Sequence, residues 1–163
     1  MSRAATALLA PAGRAYDATK LRWATTLDSQ RLGILFAQAR PEEPEADSCM
    51  LEWLQSGGAL MLEDEEGVPL CAVRWREADE GWLLDRVCTL PQAHRLGFGR
   101  WLMTKVEALA IRYNIPSLSV VLPDDQLAGY YRRLGYTVED GDGERLTAHK
   151  RVGGIWQLKA QKL

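Results

Sequence analysis

The stretch from Asp85 to Arg100 reads Asp-Arg-Val-Cys-Thr-Leu-Pro-Gln-Ala-His-Arg-Leu-Gly-Phe-Gly-Arg. A strand-like run ends at Leu90-Pro91 and passes through a glycine-rich turn into an amphipathic helix. That order of parts suits an anion. Gly97 and Gly99 let the backbone approach a ligand closely, and the opening N–H groups of a helix lack intrahelical partners and sit at the positive end of its dipole. A pyrophosphate fits such a turn. The same residues also read as a strand-to-helix connection with no ligand, and a lone G-x-G does not decide between the two. A dinucleotide-binding unit falls away, because the preceding strand does not open a βαβ unit and G-x-G-x-x-G is incomplete.

Other reactive side chains are weaker signals. Cys88 lacks an evident partner base and reads as a small buried strand residue. Asp85 is flanked by Leu83, Leu84 and Val87, surroundings that raise a carboxylate pKa once it is buried; the alternative is a solvated aspartate paired with Arg86 or Arg74. On its residues alone Tyr131 is a core tyrosine beside Tyr130 and Leu134. His149 reads as structural or surface.

The elements that must position these residues follow from periodicity. Leu21 to Thr25 is a short strand. Asp28 or Ser29 caps a helix with Leu32, Leu35, Phe36 and Ala39 on one face, which stops before Pro41. Arg40 to Asp47 is a Pro- and carboxylate-rich loop; Asp47 caps a second helix carrying Met50, Leu51, Trp53 and Leu54, ended by Gly57 and Gly58. A meander follows: Ala59 to Glu63, a turn at Asp64-Glu65-Glu66-Gly67, Val68 to Trp75, a loop at Ala78 to Gly81, and Trp82 to Leu90. Gly97 to Tyr113 is a helix burying Leu102, Val106, Leu109, Ala110 and Tyr113. Pro116 to Val121 is a strand, Asp125 to Leu134 a helix, and Tyr136 to Val138 and Leu146 to Val152 are closing strands. The class is mixed α/β.

Composition narrows the function. The 163 residues are 47% hydrophobic and 26% charged, enough for one packed domain. A net charge of −2 and a pI near 5.7 argue against a broad grip on nucleic acid. Cys49, Cys71 and Cys88 are an odd number without metal-ligand spacing, so neither a disulfide framework nor a metal site is expected, and reduced thiols suit a cytoplasmic protein. No apolar run is long enough to span a bilayer. In residues 1–18 an Ala/Leu stretch follows Arg3 but is interrupted by Pro11 and Arg14, so a mobile tail is expected rather than a secretory leader.

Two signatures in order carry a resemblance. Val87-Cys88-Thr89-Leu90-Pro91 leading into His94-Arg95-Leu96-Gly97-Phe98-Gly99 resembles the acetyl-CoA motif of the GNAT N-acetyltransferase superfamily, and Tyr131-Arg132-Arg133-Leu134-Gly135-Tyr136 resembles its second signature. The resemblance covers Leu21 to Val152, a domain expected over residues 19–152, with residues 153–163 an extension. It implies an α+β fold with a central mixed, mostly antiparallel sheet of about six to seven strands flanked by about four helices. It implies acetyl-CoA as co-substrate and no metal, with backbone N–H groups of Arg95, Leu96, Gly97, Phe98, Gly99 and Arg100 on the pyrophosphate, and Arg95 and Arg100 adding charge. Val87, Cys88 and Thr89 would pair with the pantetheine arm, a main-chain N–H near Cys88 polarising the thioester carbonyl. Tyr131 would be the general acid for the departing thiolate. A carboxylate should take the amine's proton, for which Asp85 is the best candidate and Glu63 and Glu77 are weaker ones.

The chain departs from the family pattern at three places. His94 stands where Gln or Arg is usual. Asp124 stands where many members have an Asn that touches pantetheine, and a carboxylate cannot donate as that amide does. Ser119 stands where ribosomal-protein N-terminal acetyltransferases have a glutamate base, which disfavours that subfamily. The resemblance implies a primary amine as acceptor, of a small molecule, a peptide or a protein, which in this architecture approaches between the first two helices and the strands facing them, here Arg40 to Trp53 and the Trp75 to Trp82 hairpin. Glu42, Glu43, Glu45 and Asp47 could attract a cation there, but a solvated loop over core tryptophans is the preferred reading. A homodimer is common among similar proteins. The competing readings are a non-catalytic acyl-CoA sensor and a structural interaction module.

Overall fold

Helices and strands follow one another in the order that the periodicity predicts. The computed structural model describes residues 19–43, 47–141 and 145–152. They form β1 (Lys20–Trp23), α1 (Ser29–Ala39), α2 (Asp47–Ser56), β2 (Gly57–Glu63), β3 (Pro69–Ala78), β4 (Gly81–Thr89), α3 (Phe98–Arg112), β5 (Ser117–Val121), α4 (Ala128–Arg133), β6 (Thr137–Asp140) and β7 (Leu146–Arg151). Single 3-10 turns lie at Thr26–Asp28, Pro91–Ala93 and Asp125–Leu127. The strands make one seven-stranded sheet in the order β1-β2-β3-β4-β5-β7-β6. β4 and β5 run parallel, whereas β1–β2, β5–β7 and β6–β7 are antiparallel. A parallel pair needs a long crossover, and α3 lies within it. The expected N-terminal tail and C-terminal extension lie outside the described residues.

The chain divides into two compact units. In the first, residues up to Arg74 together with Arg86–Met103, the core is an apolar cluster of Leu32, Leu35 and Phe36 from α1, Met50 from α2, Ala59 and Met61 from β2, Ala72 from β3, and Cys88 and Leu90. The β2–β3 turn is held by Asp64, whose Oδ1 accepts the N–H groups of Glu66 and Val68 at 2.8 and 2.9 Å while Gly67 adopts φ +80°. A box of four charges joins β1, α1 and β2. Arg22 bonds both Asp28 and Glu63; Arg31 reaches Asp28 at 3.3 Å and Glu63 at 3.1 Å, and its guanidinium also donates to the Gly67 carbonyl. Glu63 is therefore tied to two arginines.

In the second unit, Trp75–Asp85 with residues from Thr104 onward, β5 and β7 are matched from Ser117–Arg151 to Val121–Thr147. Leu84, Leu118, Val120 and Ala148 are buried on one sheet face. Gly81, at φ +153°, turns β3 into β4; a Cβ there would stand 2.0 Å from the Ser117 carbonyl oxygen, so only glycine fits. Trp75 and Trp82 are buried and stacked with centroids 4.9 Å apart, which bears out core tryptophans.

Some local expectations differ. α2 passes directly into β2 at Gly57, so the two glycines open a strand rather than follow a helix as a cap. Tyr113, expected in the buried stripe, is 56% exposed past the last turn of α3. Asp28 accepts no cap bond from α1; it pairs with Thr25 in a capping box that starts the preceding 3-10 turn. No helix among the described residues is long and apolar enough to cross a membrane.

Candidate functional site

In the first unit the site candidates lie where β4 ends. Leu90 N–H donates to the Leu70 carbonyl of β3 at 2.9 Å. In an antiparallel ladder the N–H and C=O of one residue point to the same side, and successive residues alternate. Cys88, like Leu90, is then directed at β3, while Val87 and Thr89 direct their backbone groups the other way. Two side chains meet those groups. Arg40 Nη2 donates to the Val87 carbonyl at 2.9 Å, and His94 Nε2 donates to the Thr89 carbonyl at 2.8 Å. His94 thus fastens the turn to the strand from which it leaves.

The turn itself has an unusual backbone. Ala93 N–H and His94 N–H close the short 3-10 turn onto Leu90 and Pro91, after which Arg95 takes φ +65° and Gly97 φ +81°. Left-handed residues next to right-handed ones aim successive N–H groups into a shared concavity, an arrangement that suits an anion. The i→i−4 ladder of α3 starts with Trp101 N–H on the Gly97 carbonyl at 3.0 Å, so the backbone from Arg95 to Arg100 lies ahead of it at the positive end of the helix. Ala93 and Phe98 are buried and pin the turn, whereas His94, Arg95, Gly97 and Arg100 are exposed and Leu96 and Gly99 half-buried.

Cations near this strand end have partners other than the Asp85 pairing weighed from sequence. Arg86, buried, donates to Glu43 Oε2 at 2.9 Å and to its carbonyl at 3.3 Å, and Arg40 stands 3.9 Å from the same carboxylate. Glu43 is therefore occupied by protein cations, which argues against it as a lure for a cationic acceptor. Arg74 is 1% exposed, with its guanidinium 4.5 Å from the Trp53 ring centre, 5.6 Å from that of Phe36 and 3.7 Å from Met50 Sδ. Asp47's side chain and Glu45 lie outside the described residues. Cys88 is 3% exposed in the apolar cluster, which fits an inert strand thiol. Burial pushes Cys71 up to about 12, the Thr89 hydroxyl at 3.2 Å lowering it and the neighbouring Cys88 raising it.

In the second unit the Tyr-x-x-Leu-Gly-Tyr signature is a helix-stop device. Gly135, at φ +91°, lets its N–H reach the Arg132 carbonyl while Tyr136 N–H reaches back to the Tyr131 carbonyl, each at 3.0 Å. This Schellman pattern reverses the chain. It sets Tyr136 edge-on to Tyr131, centroids 5.5 Å apart, and Tyr130 packs on Tyr131 in the same manner at 5.2 Å. Tyr131 is 3% exposed. Tyr136 donates to Glu107 at 3.1 Å, and Lys150 binds both oxygens of that carboxylate and the Leu134 carbonyl. Burial first, then the charge of Glu107 and the bond to it, push the Tyr136 phenol far above its ordinary range. Tyr136 therefore keeps its proton.

Asp85 is half-buried on the strand face that carries Leu83. Asp124 is exposed, and its carboxylate caps the following 3-10 turn by accepting Gln126 N–H at 2.9 Å. Glu77 is exposed. Arg40 is the functional candidate that sequence reasoning missed, since nothing local to a helix-end arginine announces a partner 47 residues away.

Comparison with known proteins agrees with this layout. Residues 55–138 match the family described as "Acetyltransferase (GNAT) domain". The fold is similar to that of the ribosomal-protein-S18-alanine N-acetyltransferase from Escherichia coli, at TM-score 0.72 and 13% identity over 83% of this chain and 94% of that one. It is also similar to the PaiA N-acetyltransferase from Thermoplasma acidophilum in complex with coenzyme A (0.66, 13%, covering 82% and 98%). A GNAT-family acetyltransferase from Listeria monocytogenes gives 0.69 at 14% identity, covering 82% and 94%. At such identities the likeness establishes the fold. No curated protein matches the chain in sequence.

Proposed function

Because the chain belongs to the GNAT acetyltransferase family, we propose that it moves an acetyl group from acetyl-CoA to a primary amine by direct attack. The observation that carries this reading is the turn from Leu90 to Trp101, where Arg95 and Gly97 are left-handed just ahead of α3, a backbone pattern of the kind that suits an anion. A pyrophosphate is the proposed occupant, with exposed Arg95 and Arg100 beside it. Val87 and Thr89, two residues apart and directed away from β3, offer the spacing that a chain of amides pairs with.

When bound, the co-substrate supplies an activated thioester. The backbone N–H groups flanking Cys88 hold the thioester oxygen as charge develops on it, a preorganised donor of the kind that contributes a large share of catalysis. Asp85 takes the proton of the incoming ammonium, directly or through water, so that the amine attacks in its neutral form. Tyr131 gives a proton to the leaving sulfur. His94 keeps the turn seated on β4 through its bond to Thr89 rather than through a side-chain contact of the Gln or Arg kind. The free thiols suit the proposed cytoplasmic location, and a homodimer, common among proteins that this chain resembles, is the proposed assembly.

Isothermal titration with acetyl-CoA tests the carrying observation. The wild type binds, and Gly97→Val, which forces a β-branched residue into a left-handed conformation, binds at least about tenfold more weakly. Equal binding by both would remove the turn as the pyrophosphate site. Binding without amine-dependent thiol release would make the protein a sensor.

A further inference from the structure

Strand pairing in the second unit brings together two residues that the sequence separates. Ser119 lies opposite His149 on β7, and Leu83 of β4 lies on the other side of Ser119. Ser119 Oγ is 2.9 Å from His149 Nδ1. Ser119 is half-buried and His149 exposed, on the face opposite buried Leu84, Leu118, Val120 and Ala148. By strand alternation Asp85 shares that face with Leu83. The β4–β5 register ends at Leu84–Val120, so Asp85 is the first residue past the paired stretch.

We propose that His149, held by Ser119, is the onward proton acceptor for the acetyl-transfer reaction and receives through water the proton that Asp85 takes from the amine. The inference rests on the acetyl-transfer reading above and replaces the expectation of a structural His149. Ser119 is a positioning residue: in the tautomer that the proposal requires, its oxygen accepts the Nδ1 proton and Nε2 carries the lone pair.

The step balances. An N–H bond of the ammonium breaks and its electron pair becomes the nucleophile's lone pair. The proton passes to the Asp85 carboxylate, and from there to Nε2; the imidazolium then returns it to bulk water. Passing the proton onward returns Asp85 to its carboxylate form for the next amine. Two strand spacings and two residues separate the Asp85 and His149 backbones, about 12 Å, which the side chains and bridging water close. Among the described residues of β5, β6 and β7, the other charged ones on this face are Glu139 and Arg151, and β3 brings Arg76 and Glu77 in the same unit; β5 contributes Ser117, Ser119 and Val121.

The test is kinetic. His149→Gln lowers kcat/KM roughly ten- to hundredfold with an acceptor that is protonated at assay pH, and much less with a hydrazine analogue that is already neutral, while acetyl-CoA affinity stays unchanged. Ser119→Ala, which keeps the imidazole but removes the oxygen that holds it, lowers kcat/KM in the same acceptor-dependent way and by less. Equal losses with both acceptors, or none, overturn it. A wild type without turnover overturns the acetyl-transfer reading and this proposal with it; turnover that His149→Gln retains overturns the proposal alone.

Discussion

Arg40 ends α1 and sends its guanidinium to the Val87 carbonyl, one of the backbone groups proposed to pair with pantetheine. Its side chain is 13% exposed and the bond is 2.9 Å long, so it is a partly desolvated, charge-assisted hydrogen bond. Such bonds contribute about 1.5–3 kcal/mol. A carbonyl has two lone pairs, so an arriving amide displaces Arg40 only in part, and about 1 kcal/mol of competition is a fair share. Arg40→Ala should therefore tighten acetyl-CoA binding roughly fivefold. Glu43 keeps its 2.9 Å bond to Arg86, so the loop after α1 stays anchored. Isothermal titration should be run with acetyl-CoA and with the phosphorylated ADP moiety of CoA alone, which has no pantetheine arm. Tightening confined to acetyl-CoA is the expected result. Weaker or unchanged binding of acetyl-CoA, or equal tightening of both ligands, would refute the argument that Arg40 and pantetheine share Val87.

Tyr131→Phe keeps the ring between Tyr130 and Tyr136 and removes only the hydroxyl; at saturating acetyl-CoA kcat should fall about 10²- to 10⁴-fold with binding intact, and an unchanged kcat would end its role as acid. At Asp28, burial pushes the carboxyl up, but the Thr25 N–H and the bond and charge of Arg22 outweigh it and hold the group below its usual range. A lowered folded value means stability present above the unfolded value and lost as pH falls through the folded one. Asp28→Asn should thus cost about 1–2 kcal/mol in urea denaturation at neutral pH, discounted for the partly exposed arginines, and the gap should close below about pH 4. A gap independent of pH would contradict the ion-pair account. Native protein should react rapidly with a thiol reagent at one cysteine, the half-buried Cys49, since Cys71 and Cys88 are buried; three equivalents should appear after denaturation, and three fast thiols in the native state would contradict this packing.

Local sequence carried the element order, because each helix and strand has its own period and its own punctuation. Asp64 to Gly67 announces the turn it makes, and Gly97 and Gly135 stand where the chain takes a left-handed conformation. Tertiary relations were not legible in the same way. Arg74, in a strand where a solvated cation would be ordinary, is enclosed by Phe36, Met50 and Trp53 from two helices. The Ser119–His149 pair depends on β5 finding β7, a register that neither strand's pattern states alone. Arg95 is the clearest local miss: a non-glycine residue at positive φ carries no sequence mark, yet it shapes the turn as much as Gly97 does.

The central claim is acetyl transfer from acetyl-CoA to an amine, and the measurement that tests it most directly is CoA thiol release by the wild-type protein across a panel of small amines and peptides, with product mass read alongside. The account predicts release that depends on the amine and appears in step with a product heavier by one acetyl group. Tight acetyl-CoA binding with no amine-dependent release across the panel, or release without an acetylated product, would contradict it.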